Sequence, residues 1–167
     1  MRKPIIGVMG PGSLATKQDM EFAFELGKAI AEHGWILLSG GKNEGVMNSV
    51  NLGAKSANGV TVGIIPTKDK SIVSEGVDIA ILTNMGSARN YINVLTCDVI
   101  IACGMEAGTA SEVAMILKEK KPVVLLTANL EGNAFFKKLQ PELVFVVGSV
   151  GEAVEQVSEL MSERDHV

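Results

Sequence analysis

VIIACGMEAGTASEVAMILKEKK, Val99 to Lys121, holds the pattern from which the rest of the chain can be read. Val99 to Cys103 is apolar at every position, with no alternation. A run of that kind fits a strand covered on both faces. Nine residues follow, all small or polar except Met105, and Val113, Ala114 and Leu117 recur at helical spacing between Ala110 and Lys120. A buried strand that turns directly into a helix is half of a parallel crossover, because parallel strands need a helix between them.

The same alternation continues in both directions. Ile5–Met9 reads as a strand ending at GPGS, followed by a helix from Lys17 to His33 with Phe22, Leu26 and Ile30 on one face and Gly34 as its stop. Trp35–Ser39 is the next strand, Val46–Ala57 a helix closed by Asn58-Gly59, and Val60–Ile65 a strand stopped by Pro66. Thr67–Gly76 is polar and reads as a surface loop. Asp78–Leu82 is a short strand, and Ser87 caps a helix to about Leu95. Pro122–Leu126 is a strand, Ala134–Leu139 a short helix and Leu143–Val147 a strand. Glu152–Met161 is an amphipathic closing helix, and SERDHV frays. The expectation is an α/β three-layer sandwich with a mostly parallel sheet, spanning residues 1–167 as one domain.

Composition narrows the function. The formal net charge is -4, with no lysine-rich tail or basic stripe, which argues against a nucleic-acid partner. No apolar run reaches membrane length, and the apolar start is too short for a signal peptide. A cytoplasmic protein is expected. Cys97 and Cys103 read as small buried hydrophobes in a reducing compartment. His33 near a helix end and His166 in the tail make no metal-binding cluster, so no metal site is expected.

In parallel sheets, ligands bind beyond the carboxyl ends of the strands, where strand order reverses. Four post-strand segments carry suitable residues. Gly10, Gly12 and Ser13 allow close backbone approach after the first strand. The spacing is not the dinucleotide fingerprint, and Ser39 stands where an acidic residue would close that motif. Gly40 and Gly41 follow the second strand and suit an anion held by amides. Lys42 reads more readily as a solvated lysine, and Glu44 as a helix cap. Asn84 and Arg89 come after the fourth strand. Arg89 near a helix start is uncomfortable unless it meets an anion or Glu112, and Asn93 shares its face. Glu106, Ala107, Gly108, Thr109 and Glu112 complete the set. Thr109 and Glu112 have capping-box spacing, worth about 1 kcal/mol, and the amides of Ala110 and Ser111 would face the crevice. Glu106 would repel a phosphate unless it accepts N–H groups from a heterocycle or turns outward. Ser13, Ser39 and Ser111 lack a histidine partner, which excludes a serine triad.

Together these segments resemble the LOG-like proteins, once labelled lysine decarboxylases, which have a Rossmann-like fold. SGGKNEGVM (Ser39–Met47) is similar to their glycine cluster with Gly-Leu-Met, and GVTVGIIP (Gly59–Pro66) to their Gly-Val-Ile-Pro segment. Arg89 matches the arginine of their Met-x-x-Arg-Lys stretch. Gly108, Thr109 and Glu112 match the end of Pro-Gly-Gly-x-Gly-Thr-x-x-Glu. The chain departs at Asn90, where the motif has lysine, and at Gly104, Met105 and Glu106, where it has Pro-Gly-Gly. The molybdenum cofactor carrier proteins, a shorter branch with a similar first-strand exit, resemble it more closely.

That resemblance implies binding, protection and delivery of a molybdopterin-type cofactor. It also implies a homo-oligomer, and a molybdoenzyme or cofactor-synthesis protein as partner. The phosphate would meet the amides of Gly40, Gly41, Gly108 and Thr109, and Glu106 or Asn84 would meet the pterin edge. Two alternatives stand beside it. One is a LOG-type phosphoribohydrolase acting on nucleoside 5'-monophosphates through Arg89 and Glu112. The other is a nucleotide sensor without turnover.

Overall fold

Each unbroken apolar run becomes a strand. In the computed structural model, which describes residues 2–164, the elements alternate from end to end. They are β1 (Ile5–Met9), α1 (Lys17–Glu32), β2 (Ile36–Ser39), α2 (Gly45–Ser56), β3 (Val60–Ile65), β4 (Ile79–Leu82), α3 (Asn90–Thr96), β5 (Val99–Cys103), α4 (Ala107–Lys118), β6 (Val123–Leu126), α5 (Leu130–Leu139), β7 (Val144–Val146) and α6 (Val150–Arg164). His166 lies outside the described residues, as does the end of the stretch expected to fray. The helix itself runs past Met161 to Arg164.

All seven strands pair in parallel, in the order β4-β3-β2-β1-β5-β6-β7. The expected three-layer sandwich is present. One face is covered by α1, α2 and α6, whose Leu26, Ile30, Val50 and Val157 bury against Ile6, Val8, Leu37 and Ile101. The other is covered by α3, α4 and α5, whose Val94, Val113, Ile116 and Phe136 bury against Leu38, Ile64, Ile100 and Leu125. Each such side chain contributes about 1.5–3 kcal/mol by leaving water. Cys97 and Cys103 are buried, as read, and burial pushes both thiols up, Cys103 to about 12.

Strand order reverses between β1 and β5. The chain leaves β1 toward α1 on one face and leaves β5 toward α4 on the other, so a crevice opens between the two exits. The left half is held tightly by α1 against α2. A Cβ on Gly53 would lie 1.9 Å from the Phe24 carbonyl oxygen, and one on Gly27 would lie 2.0 Å from that of Val50. The two helices touch backbone to backbone at these glycines.

Four local expectations fail. α5 begins at Leu130, capped by Asn129, four residues earlier than expected. α4 begins at Ala107, three residues earlier than expected, with Glu106 at its N-cap and no side-chain cap bond. Thr109 is therefore inside the first turn, and the capping box with Glu112 does not exist. Ser87 does not cap a helix either, because Gly86–Arg89 is a 3-10 turn leading into α3. The polar segment 67–76 is not wholly a surface loop. It contains a 3-10 turn at Lys70–Ile72, bridges Val73 to Lys42, and buries Ser74, whose hydroxyl donates to Asn48 Oδ1 at 2.8 Å. Among the described residues, no helix is long and apolar enough to cross a membrane.

Candidate functional site

Five strand exits surround one cavity of about 370 Å³ at the reversal point. β1 supplies Met9, Gly10, Gly12 and Ser13, and β2 supplies Gly40, Lys42, Glu44 and Met47. Pro66 comes from the end of β3. The segment after β4 gives Gly86, Ser87, Arg89, Asn90 and Asn93, and β5 with α4 gives Glu106, Gly108, Thr109 and Glu112. The volume suits a small organic ligand.

The floor is polar and buried. Arg89 is 9% exposed, Asn93 0%, Thr109 1% and Glu112 7%. Asn93 Nδ2 donates to Glu112 Oε2 at 3.0 Å and approaches Met9 Sδ at 3.7 Å. Three floor atoms have no partner among the described residues: Arg89 Nε, Asn93 Oδ1 and Thr109 Oγ1. Buried polar atoms are almost always bonded, so three orphans on residues that line one cavity mark a place where a polar guest fits.

Arg89 is the centre of this arrangement. Its guanidinium lies over the bare Cα of Gly40, where an added Cβ would stand 2.9 Å from Nη1. Its Nη1 donates weakly to Asn90 Oδ1 at 3.3 Å. No ion pair joins it to Glu112 among the described residues, so the expected intramolecular partner is not engaged. Burial lowers the guanidinium's pKa, and the charge of Glu112 opposes that shift. A buried cation without a paired anion is costly, and an anionic ligand would relieve it.

Glu112 is equally unusual. Burial pushes its carboxyl up to about 7, the Asn93 amide and the Arg89 charge pull it down, and Glu106 pushes it up further. It is a carboxylate poised near neutrality and free of any capping role. At the start of α4, the amides of Ala107, Gly108 and Thr109 have no partner among the described residues. The amide of Ala110 is already bonded to Glu106 O at 2.8 Å. The anion-binding amides thus precede Ala110 and Ser111 rather than belonging to them, and Ser111 is turned outward with its hydroxyl on Gly108 O.

Of the residues singled out from sequence, Gly10, Gly12, Ser13, Gly40, Arg89, Glu106, Gly108, Thr109 and Glu112 line the cavity. Ala107 borders it through its free amide. Gly41 does not serve as expected: it has φ +74, and its amide donates to Ser39 Oγ at 3.1 Å, so it is spent on the turn. Asn84 is exposed, has φ +52 and stays off the cavity wall. Glu44 stands at the N-cap of α2 but makes no cap bond. It pairs instead with Lys42, which lines the cavity after all. Asn93, noted only for sharing a face with Arg89, is at the centre of the floor. The four-residue spacing was the available signal.

Comparison with known proteins follows the same line. The SLOG cluster4 family model matches residues 3–154. A protein of Archaeoglobus fulgidus is 38% identical over 86% of this chain and 95% of its own. The cytokinin riboside 5'-monophosphate phosphoribohydrolase of Mycobacterium tuberculosis is 33% identical over 56% of this chain, and the match spans 51% of that enzyme. Among solved structures, the molybdenum cofactor binding protein of Rippkaea orientalis is 50% identical with a TM-score of 0.95, covering 96% of this chain and 99% of that one. The molybdenum cofactor carrier protein of Chlamydomonas reinhardtii is also 50% identical, with a TM-score of 0.92 over 97% and 99% of the two chains. The resemblance carried by the strand-exit motifs is thereby borne out, and the chain belongs to the SLOG cluster4 family.

Proposed function

We propose that this chain binds a molybdopterin-type cofactor in the cavity at the strand reversal, shields it and hands it on. The observation that carries the reading is the orphaned floor. Arg89 Nε, Asn93 Oδ1 and Thr109 Oγ1 are buried and unpartnered around one cavity beside three free amides of α4. A flat, edge-polar heterocycle with a phosphate satisfies both kinds of group. The likeness to two cofactor-binding carriers over nearly the whole chain supports the choice among such ligands. The phosphate takes the amides of Ala107, Gly108 and Thr109 and the charge of Arg89. Gly10, Gly12, Gly40 and Ser13 form the facing wall, and Glu106 sits at the rim.

Carriage needs no chemical step. A carrier of this kind works in the cytoplasm and passes its cargo to a molybdoenzyme or receives it from a cofactor-synthesis protein. A second copy of the chain also belongs to this reading. Exposed apolar residues that suit such a contact include Leu95 on α3 and Ile79, Ile81 and Leu82, which lie side by side along the edge strand β4.

The test is retention of the cofactor by the purified protein at micromolar concentration, read from the fluorescence of its oxidised derivative. Stoichiometric retention is expected, and none would overturn the reading. One observation favours a second reading, hydrolysis of a nucleoside 5'-monophosphate: Glu112 is held by Asn93, unpaired with Arg89 and titrates near 7, as a catalytic carboxyl can. Incubation with adenosine monophosphate and an N6-substituted analogue decides it. Release of base and ribose 5-phosphate, lost in Glu112→Gln, would replace the carrier reading.

A further inference from the structure

We propose that Asn93 and Glu112 act as a paired acceptor that reads a ring edge bearing two adjacent N–H donors, the 2-amino-4-oxo edge shared by pterins and guanine. The inference rests on the carrier reading for the ligand's biological identity, but its geometry stands on the floor alone. Asn93 Nδ2 is committed to Glu112 Oε2 at 3.0 Å. That bond fixes the orientation of both side chains and leaves Asn93 Oδ1 with no partner. The other oxygen of Glu112 is not among the buried orphans, and the residue lines the cavity. Two acceptors tied by one hydrogen bond therefore meet the guest.

A donor comes from Arg89, whose Nε–H is also an orphan and whose side chain lines the same cavity. The floor thus offers two acceptors and a donor. A 2-amino-4-oxo ring shows the complement: an exocyclic N–H, a ring N–H and a carbonyl oxygen. Adenine presents an exocyclic N–H beside a bare ring nitrogen, which is a second acceptor and would face a floor acceptor unpaired. A site built to bond an N–H group rejects an analogue lacking it, because its own buried polar atoms are left unpaired.

The charge state of Glu112 gives a second readout. The groups facing it are Asn93 and Arg89 from the α3 side and Glu106 from the start of α4, with Cys97 behind. Lys42 and Glu44 are across the cavity at its rim. An N–H edge needs the ionised carboxylate, so the preference for that edge strengthens as pH rises through the carboxyl's titration.

The experiment measures binding of guanosine 5'-monophosphate and adenosine 5'-monophosphate to the full chain between pH 5.5 and 8.5. Both carry the same phosphate, so its own titration cancels in the ratio. The expected result is a preference for the guanine nucleotide of about tenfold at pH 8, shrinking toward acid pH. Glu112→Gln turns one acceptor into a donor and is expected to abolish or invert the preference with the fold intact by circular dichroism. Equal affinity for the two nucleotides, no binding of either, or a preference unchanged in Glu112→Gln would each overturn the assignment. Cofactor retention is measured on the same preparation. Retention without the guanine preference removes this inference and leaves the carrier reading. The preference without retention does the reverse.

Discussion

Arg89 and Glu112 occupy one buried floor without forming an ion pair, and that separation is the main chemical fact at the residue scale. Desolvation acts on both, lowering the pKa of the guanidinium and raising that of the carboxyl to about 7. Arg89→Ala is expected to weaken binding of a phosphorylated ligand at least tenfold and its dephospho form by clearly less, since that form loses only the ring contact of Arg89 Nε–H, as titration calorimetry with the two forms would report. Equal losses would remove Arg89 from the phosphate. Glu112 also leaves a mark on stability. Its carboxyl binds a proton more tightly folded, near 7, than unfolded, near 4.5. Between those values the native state holds the extra proton, so the ligand-free protein loses stability as pH rises from about 4.5 to 7, by up to about 3 kcal/mol. Urea midpoints across that window should fall in the parent protein and stay flat in Glu112→Gln.

At the scale of elements, the strands and the start of α1 at Lys17 were legible, and most later helix starts were not. β1, β3 and β5 match the expected bounds, because mostly apolar runs ended by a glycine or a proline leave little choice. α4 was read as starting at Ala110 because Thr109 and Glu112 have capping-box spacing. Glycine and alanine at Ala107 and Gly108 look like a turn in isolation. The chain instead enters the helix at once, with Glu106 in extended conformation at the N-cap, and Thr109 points into the cavity. The same bias toward hydroxyl caps misplaced Ser87. Two glycines test the packing of elements. Gly53→Ala puts a methyl 1.9 Å from the Phe24 carbonyl oxygen, so the gain in helix propensity is outweighed and a loss of about 1–3 kcal/mol is expected in urea unfolding. Gly40→Ala meets only the flexible ends of Met47, at 2.6 Å, and of Arg89. The fold should survive with nearly unchanged melting temperature, while ligand affinity falls because Arg89 is displaced.

For the whole molecule, the decisive feature is the position of β1 between β2 and β5. It puts five loop exits around one crevice and leaves β4 as an edge with all four residues exposed. An apolar, exposed parallel edge strand without lysine or proline is normally covered by something. Sedimentation equilibrium is expected to give a multiple of the 17.6 kDa chain mass, and Ile81→Lys to shift it toward one chain. A single-chain mass for the parent at tens of micromolar would contradict the oligomer.

Hydrophobic runs and their spacing determined the strand–helix alternation by themselves, and with it the parallel sheet and the edge at which a ligand would sit. They did so because burial on two faces and parallel crossover are local demands written into consecutive residues. Which polar groups remain unpartnered was decided only by the tertiary structure. Gly41 looked as available as Gly40 until Ser39 took its amide, and Asn93 gained its importance only when α3 packed beside α4 and set it against Glu112. Hydrogen-bond satisfaction is a property of neighbours distant in sequence, and only the folded chain brings those neighbours together.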